Sequence, residues 1–254
     1  MSILKKCLAL SLTIILMTGV SGCMFFNKQK KLDAQENTRQ AMLNYLQEKY
    51  GETFTEVEWI PAKIKFNGME ESILVVRSPE GFLTNVRERT GSLGYFYDDF
   101  MDSYASFIAE DLIDFSNIPS LIIGKIYPNL RVKYITYDDL KNGISSLTEA
   151  TVINILSFVV VSETPNDAMI DALYSVYQQL MSKGFHSPSL VVAVTKDTQT
   201  TTKYFENYTL HGITRLYDFD KSINTCVVFN GGLSFDEFNE RFEFKGQRDV
   251  EWFW

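Results

Sequence analysis

The run Ile153–Val161 (INILSFVVV) constrains the fold more than any other stretch of this chain. Its β-branched residues suit a pleated strand, and it lacks the polar alternation of a strand with one wet face. It is also well short of the roughly 20 apolar residues that a membrane-spanning helix needs. A central strand buried on both faces is the consistent reading. A helix is predicted directly after it. Thr164 is placed to cap that helix, Pro165 fits the first helical position, and Asp167 complements the positive end of the dipole. Ile170, Leu173, Tyr177, Leu180 and Met181 recur at helical spacing, and Gly184 closes the segment. Leu190–Thr195 (LVVAVT) then reads as another apolar strand. Strand, helix, strand in that order predicts a parallel pair joined by a right-handed crossover.

The N-terminal half has a different rhythm. Met42, Tyr45, Leu46 and Tyr50 mark a helix, and Gly51 stands where a left-handed cap belongs. Thr55, Val57 and Trp59 alternate with acids until Pro61. Ile64–Phe66 and Ser72–Val76 flank Asn67-Gly68, the dipeptide that most favours a tight hairpin turn. Ser78-Pro79-Glu80-Gly81 makes a further turn into a strand over Phe82–Arg87. An amphipathic helix is predicted from Asp98 or Asp99, with Phe100, Tyr104, Phe107, Ile108 and Leu112 on one side. Residues 41–118 thus read as a helix on an antiparallel meander, and 119–254 as a mixed half containing the strand-helix-strand unit. The fold class is α+β, with the boundary falling between Asn117 and Pro128.

Other elements of the second half follow from pattern. Leu130–Tyr137 alternates as a half-exposed strand would, and Asp138–Leu147 as a short helix. Tyr204–Leu210, Ile213–Phe219 and Thr225–Phe229 read as strands. Ser234-Phe235-Asp236-Glu237 has capping-box form ahead of a face lined by Phe235, Phe238 and Phe242. Val250, Trp252 and Trp254 alternate as a terminal strand, or as an exposed tail that binds a partner.

The N-terminus sets the address. Lys5 and Lys6 precede the apolar run Cys7–Thr18, which has the length of a secretory signal rather than of a span. Gly19 to Gly22 supplies small residues before Cys23. The segment Val20-Ser21-Gly22-Cys23 resembles the lipobox of bacterial lipoproteins. That resemblance implies removal of residues 1–22 as a signal peptide, thioether lipidation of Cys23 and a lipidated tether over 23–40. Two fatty-acyl (palmitate-type) chains hold a protein stably at about 0.8 kcal/mol per buried methylene, where one chain is marginal. The expected location is the extracytoplasmic face of the cell membrane. The words Tyr45-Leu46-Gln47-Glu48-Lys49-Tyr50-Gly51-Glu52-Thr53-Phe54 also resemble a phrase near the start of Gram-positive lipoproteins of no assigned function.

Charge and cysteine usage exclude several classes. Removing residues 1–22 takes away Lys5 and Lys6 and no acid, so the formal charge moves from −8 to −10. Such a surface repels phosphates, and nucleic-acid binding is not expected. Hydrophobic content of 45% with 14% aromatics is that of a packed globular body. After processing, Cys226 has no intramolecular partner, so no disulfide framework exists. It lies in an apolar run and reads as a buried, inert thiol.

Chemistry is harder to find. Asp98, Asp99 and Asp102 cluster at a predicted helix start, where they read as a cap complementing the dipole or, more weakly, as a cation site. No other metal ligand set and no cofactor are expected. His186 and His211 lie in turns without metal-ligand spacing. The acids Glu110/Asp111/Asp114, Asp138/Asp139 and Asp218/Asp220 pair in sequence, but sequence cannot place two of them in one cleft. The expectation is a membrane-anchored binding or assembly module with an envelope protein partner, not an enzyme. The alternatives are an envelope hydrolase using carboxylates and a small-ligand-binding lipoprotein.

Overall fold

The computed structural model describes residues 34–62, 64–65, 68–69, 71–88, 94–185, 188–207 and 223–243. Helix α1 covers residues 34–50 of the described chain. Met42 and Leu46 on that stripe are fully buried, and Gly51 ends the helix at φ 73°. A side chain there would be strained, which is why glycine stands at this cap.

The first sheet is antiparallel and lies wholly within residues 55–98. Its strands are β1 (Thr55–Ile60), β4 (Ile73–Arg77), β5 (Leu83–Glu88) and β6 (Phe96–Asp98), side by side in that order. Between β1 and β4 sits a small hairpin of β2 (Ile64–Lys65) and β3 (Gly68–Met69). Lys65 pairs with Gly68, so Gly68 lies on β3, and Ile73–Arg77 pairs with β1 and not with the 64–66 run. The register of β1 on β4 slips between Glu56 and Glu58. This bulge leaves Val57 facing out, although simple alternation put it with Trp59.

Helix α2 (Phe100–Ile108) follows β6 and packs on β7 (Leu121–Leu130), the first strand of the second sheet. That sheet holds β10 (Ile223–Asn230), β9 (Pro188–Thr195), β8 (Val152–Val161) and β7 in this spatial order. β8 and β9 are parallel, while β7 and β10 run antiparallel to their neighbours. Helix α4 (Asp167–Ser182) connects the parallel pair, as the strand-helix-strand pattern requires. Further α-helices among the described residues are α3 (Tyr137–Leu140), α5 (Thr198–Asn207) and α6 (Phe235–Glu243).

Both faces of β8 are dry over Ser157–Val161, while Ile153 near its start faces water. Val152, Ile155, Val159 and Val161 enter one large core, and Phe158 and Val160 enter a second cluster with Ile123, Tyr127, Val191 and Phe205. This is the physical reason for the unbroken apolar run. The large core is shared by the two sheets, joining Leu74, Val76, Val86 and Phe100 to Ile126, Ile155, Leu190 and Phe229.

Three other expectations change. Leu130–Tyr137 is not a strand: β7 ends at Leu130, and a turn follows in which Ile135 is buried while Val132 and Tyr134 face water. Tyr204–Asn207 belongs to α5, whose start is fixed by Asp197 accepting from Thr200. The cap of α4 is Asn166 rather than Thr164, its side chain accepting from the Met169 amide at 3.0 Å. The capping box at Ser234 and Glu237 forms as expected. Residues 208–222 and 244–254 lie outside the described residues, and with them the expectations at Leu210, Ile213–Phe219, Val250, Trp252 and Trp254.

Candidate functional site

The most organised polar site lies where α1 meets the end of β6. The Asp98 carboxylate is 1% exposed. Oδ2 accepts from the Tyr45 hydroxyl and the Lys49 ammonium, each at 2.7 Å. Oδ1 accepts from the Tyr50 hydroxyl at 2.6 Å and the Phe100 amide at 3.1 Å. A carboxylate offers about four acceptor positions, so this one is full. Helix α1 supplies three of the donors because Tyr45 and Lys49 are one turn apart and Tyr50 follows on the same side.

The electrostatics run one way. Burial is the chief cause that raises the Tyr50 hydroxyl well above its ordinary value, with the negative Asp98 adding to it. Tyr45 is raised for the same two reasons, its bond from Lys49 opposing. Burial works against the Lys49 ammonium, but its bonds to Asp98 and Tyr45 outweigh that and raise it. All three donors therefore keep their protons at neutral pH. The node binds its own chain and leaves no open acceptor for a substrate.

The neighbouring aspartates go elsewhere. Asp99 accepts from the Thr84 hydroxyl at 2.8 Å, the Asn85 amide at 2.7 Å and the Asn85 side chain at 3.0 Å. It occupies the cap position of α2 without a side-chain cap bond, since its carboxylate turns back onto β5. Asp98 instead serves the first amide of that helix. Asp102 accepts from the Leu130 amide at 3.4 Å, tying α2 to β7. The three carboxylates thus serve separate partners. Among the described residues no group of three or more His, Cys, Asp or Glu could hold a metal ion.

Beside the node runs a groove of about 350 Å³ lined by Glu71, Tyr95, Phe96 and Tyr97. Phe96 packs on Tyr45, with ring centroids 5.8 Å apart, and so joins the groove to the node. The Tyr97 hydroxyl donates to Glu71. Burial first, then Glu71, pushes that hydroxyl up to about 12, with Arg87 opposing from the paired strand. Tyr95 and Tyr97 remain largely open to solvent.

Elsewhere, Glu110 and Asp111 are exposed on a short 3-10 turn, and Asp114 accepts from the Ser116 amide. Asp139 closes a capping box with Thr136, while Asp138 faces water near Lys141. Asp114, Asp139, Asp197 and Glu237 all sit below the usual carboxylate range, held there by hydrogen bonds from Ser116, Thr136, Thr200 and Ser234. Cys226 lies on β10 opposite Ala193. Cys23, His186, His211, Asp218 and Asp220 lie outside the described residues.

No protein-family model and no curated protein matches the sequence. Among solved structures, a DUF5037 family protein from Ruminococcus gnavus ATCC 29149 is similar at 14% identity and a TM-score of 0.45. The likeness covers 82% of this chain and 99% of that one.

Proposed function

We propose that this chain is an extracytoplasmic lipoprotein, held at the membrane by lipid on Cys23, whose α+β body is a binding or assembly module. The observation that carries the reading is Val20-Ser21-Gly22-Cys23 closing a short apolar run behind Lys5 and Lys6. Among the described residues no helix is long and apolar enough to cross a membrane. Two acyl chains on one cysteine would supply attachment without a span.

Two features of the body favour binding over hydrolysis. Among the described residues the carboxylates with resolved shifts are lowered, whereas a general acid must be raised toward neutrality. The most connected carboxylate, Asp98, is saturated by its own chain. By contrast, β6 stands at one side of its sheet with Tyr97 on it and Tyr95 just ahead of it exposed, the residue type that supplies rigid contact area at interfaces.

The test is fractionation of cells expressing the wild type and Cys23→Ala, with mass spectrometry of the purified chains. The wild type should partition with membranes and carry a lipid mass on a chain beginning at residue 23. The variant should lose both. A variant that stays membrane-bound with an unchanged mature mass would overturn the proposal.

A further inference from the structure

The groove beside β6 has a definite chemistry. Glu71, Tyr95, Phe96 and Tyr97 line a volume of about 350 Å³. It is open to solvent along Tyr95 and Tyr97, which are 70% and 42% exposed. Its polar parts are fixed from two directions. Glu71, just ahead of β4, accepts from the Tyr97 hydroxyl through Oε2. Arg87 on β5 pairs directly with Tyr97 and acts on the same hydroxyl with the opposite sign. Glu71 Oε1 takes no hydrogen bond among the described residues, so a lining carboxylate keeps an open acceptor.

Three properties narrow the occupant. The first is size. About 350 Å³ is at the small end of ligand sites, and β6 has 3 residues, too short an edge to hold an extended peptide by main-chain pairing. The second is charge. Glu71 opposes an anion and Arg87 opposes a cation, while the nearby Glu88 carboxylate is turned onto the Gly94 amide at 3.1 Å. A neutral ligand meets neither repulsion. The third is the mix of surfaces. Tyr95 and Tyr97 each join an exposed ring to a polar tip, beside a carboxylate acceptor and a guanidinium donor. A pyranose ring has the matching pattern, with a face of C–H bonds that lies against an aromatic ring and a rim of hydroxyls that donate and accept. A wholly apolar ligand would instead strip water from Glu71 Oε1 and offer it no partner.

We infer that this groove is a subsite for one ring of a neutral oligosaccharide, with Tyr95 as the stacking platform and Glu71 and the Tyr97 hydroxyl as partners for sugar hydroxyls. The inference rests on the reading of the body as a binding module, and it names the ligand class of that module. An open groove covers one face of a ring and leaves the other wet, so binding in the millimolar range is expected.

The experiment is saturation-transfer NMR on the full-length chain in dodecylphosphocholine micelles. The neutral probes are cellotetraose, xylotetraose, maltotetraose and N-acetylchitotetraose, with uridine and trialanine as neutral comparators. At least one of the oligosaccharides should show transfer, strongest at the protons of one ring face. Tyr95→Ala and Glu71→Gln should each reduce it several-fold, and Tyr134→Ala, at an equally exposed tyrosine elsewhere, should leave it unchanged. Tyr95 adds little to the core and Glu71→Gln keeps the side-chain shape, so both variants fold. Silence from all the sugars, transfer that survives both groove variants, or transfer to uridine or trialanine alone overturns the inference. Fractionation of the Cys23→Ala variant reads the lipid anchor independently. Silence from the sugars with a working anchor removes the sugar site and leaves the lipoprotein reading intact.

Discussion

Lys49 and Asp98, 49 residues apart in sequence, meet at 2.7 Å, with the carboxylate 1% exposed and the ammonium reaching in from the surface. Together with Tyr45 and Tyr50 they staple α1 to the end of β6. A helix with one apolar stripe can slide along a sheet with little penalty. A buried carboxylate that takes three side-chain donors from that helix fixes its register.

Removing the acceptor should therefore cost more than removing any one donor. Asp98→Ala takes the acceptor from two tyrosine hydroxyls and leaves the Lys49 ammonium only its bond to Tyr45, which costs about 3 kcal/mol. Lys49→Met removes a charge that is nearly half in water and costs about 1 kcal/mol. Urea unfolding followed by circular dichroism checks the order. An Asp98→Ala variant no less stable than Lys49→Met would show that the node does not hold the helix.

The node, with Tyr97 bonded to Glu71 and Tyr137 bonded to Glu52, predicts the alkaline limb of the stability curve. Tyr45, Tyr50, Tyr97 and Tyr137 are raised above 10.0, mainly by burial, and Lys49 is raised above 10.5. In the fold each keeps a proton that it loses sooner in the unfolded chain. Their contribution is thus whole below about pH 10 and is lost as pH rises through the folded values. Each buried tyrosine proton adds at most about 1.4 kcal/mol per pH unit to the slope, and the half-exposed Lys49 and Tyr97 add less because water screens them. Urea midpoints should be flat from about pH 7 to 9 and fall steeply above about pH 10, and Tyr50→Phe should make that fall shallower. A midpoint unchanged to about pH 11 would contradict the assignment. On the acid side the lowered groups Asp114, Asp139, Asp197 and Glu237 give stability that is lost as pH drops below their ordinary values of 3.8 and 4.5.

Packing gives a sharper test at Gly124. A Cβ built there would lie 2.6 Å from Phe115 Cγ and 2.8 Å from its Cδ2. Glycine on β7 is thus required by the ring and not by backbone angle. Gly124→Ala should cost about 1–3 kcal/mol, the usual range for overpacking. Combining it with Phe115→Leu should recover part of that loss, giving a favourable coupling in a double-mutant cycle. Strictly additive losses would mean that the ring moves aside freely.

The fold was legible where one residue pattern had one solution. The run ending at Val161 had to be dry on both faces over most of its length, which holds from Ser157 on though not at Ile153, and the helix and strand after it left a parallel pairing as the default. Leu130–Tyr137 misled because its alternation was real but reported a cation-apolar turn, not a pleat. Val57 misled because a bulge shifts the face of a strand without leaving a mark in composition. Tyr204–Asn207 reads as strand through its aromatics, yet the Asp197 cap upstream had already committed the backbone to helix. The site was less legible still. Asp98 drew notice only as one of three neighbouring acids, while its partners sat together in Tyr45-Leu46-Gln47-Glu48-Lys49-Tyr50. Spacing on α1 put those three groups on one side, but nothing in the sequence said which strand that side would meet.

The cap of α4 turns one such misreading into a test. Pro165 suggested the first helical position and so pointed to Thr164 as cap. In the structure Pro165 is buried one residue ahead of the cap, and Ile170 is buried in the first turn beyond it, the positions of a hydrophobic staple. Asn166 then holds the Met169 amide at 3.0 Å. Because α4 is the crossover between the two parallel strands, a frayed start would loosen Met169 and Ile170 from the large core. Asn166→Ala should cost about 1 kcal/mol, Asn166→Asp should be nearly neutral, and Thr164→Ala should change little. Thermal unfolding of the three variants decides it, and a Thr164→Ala loss larger than that of Asn166→Ala would move the helix start back to where Pro165 first placed it.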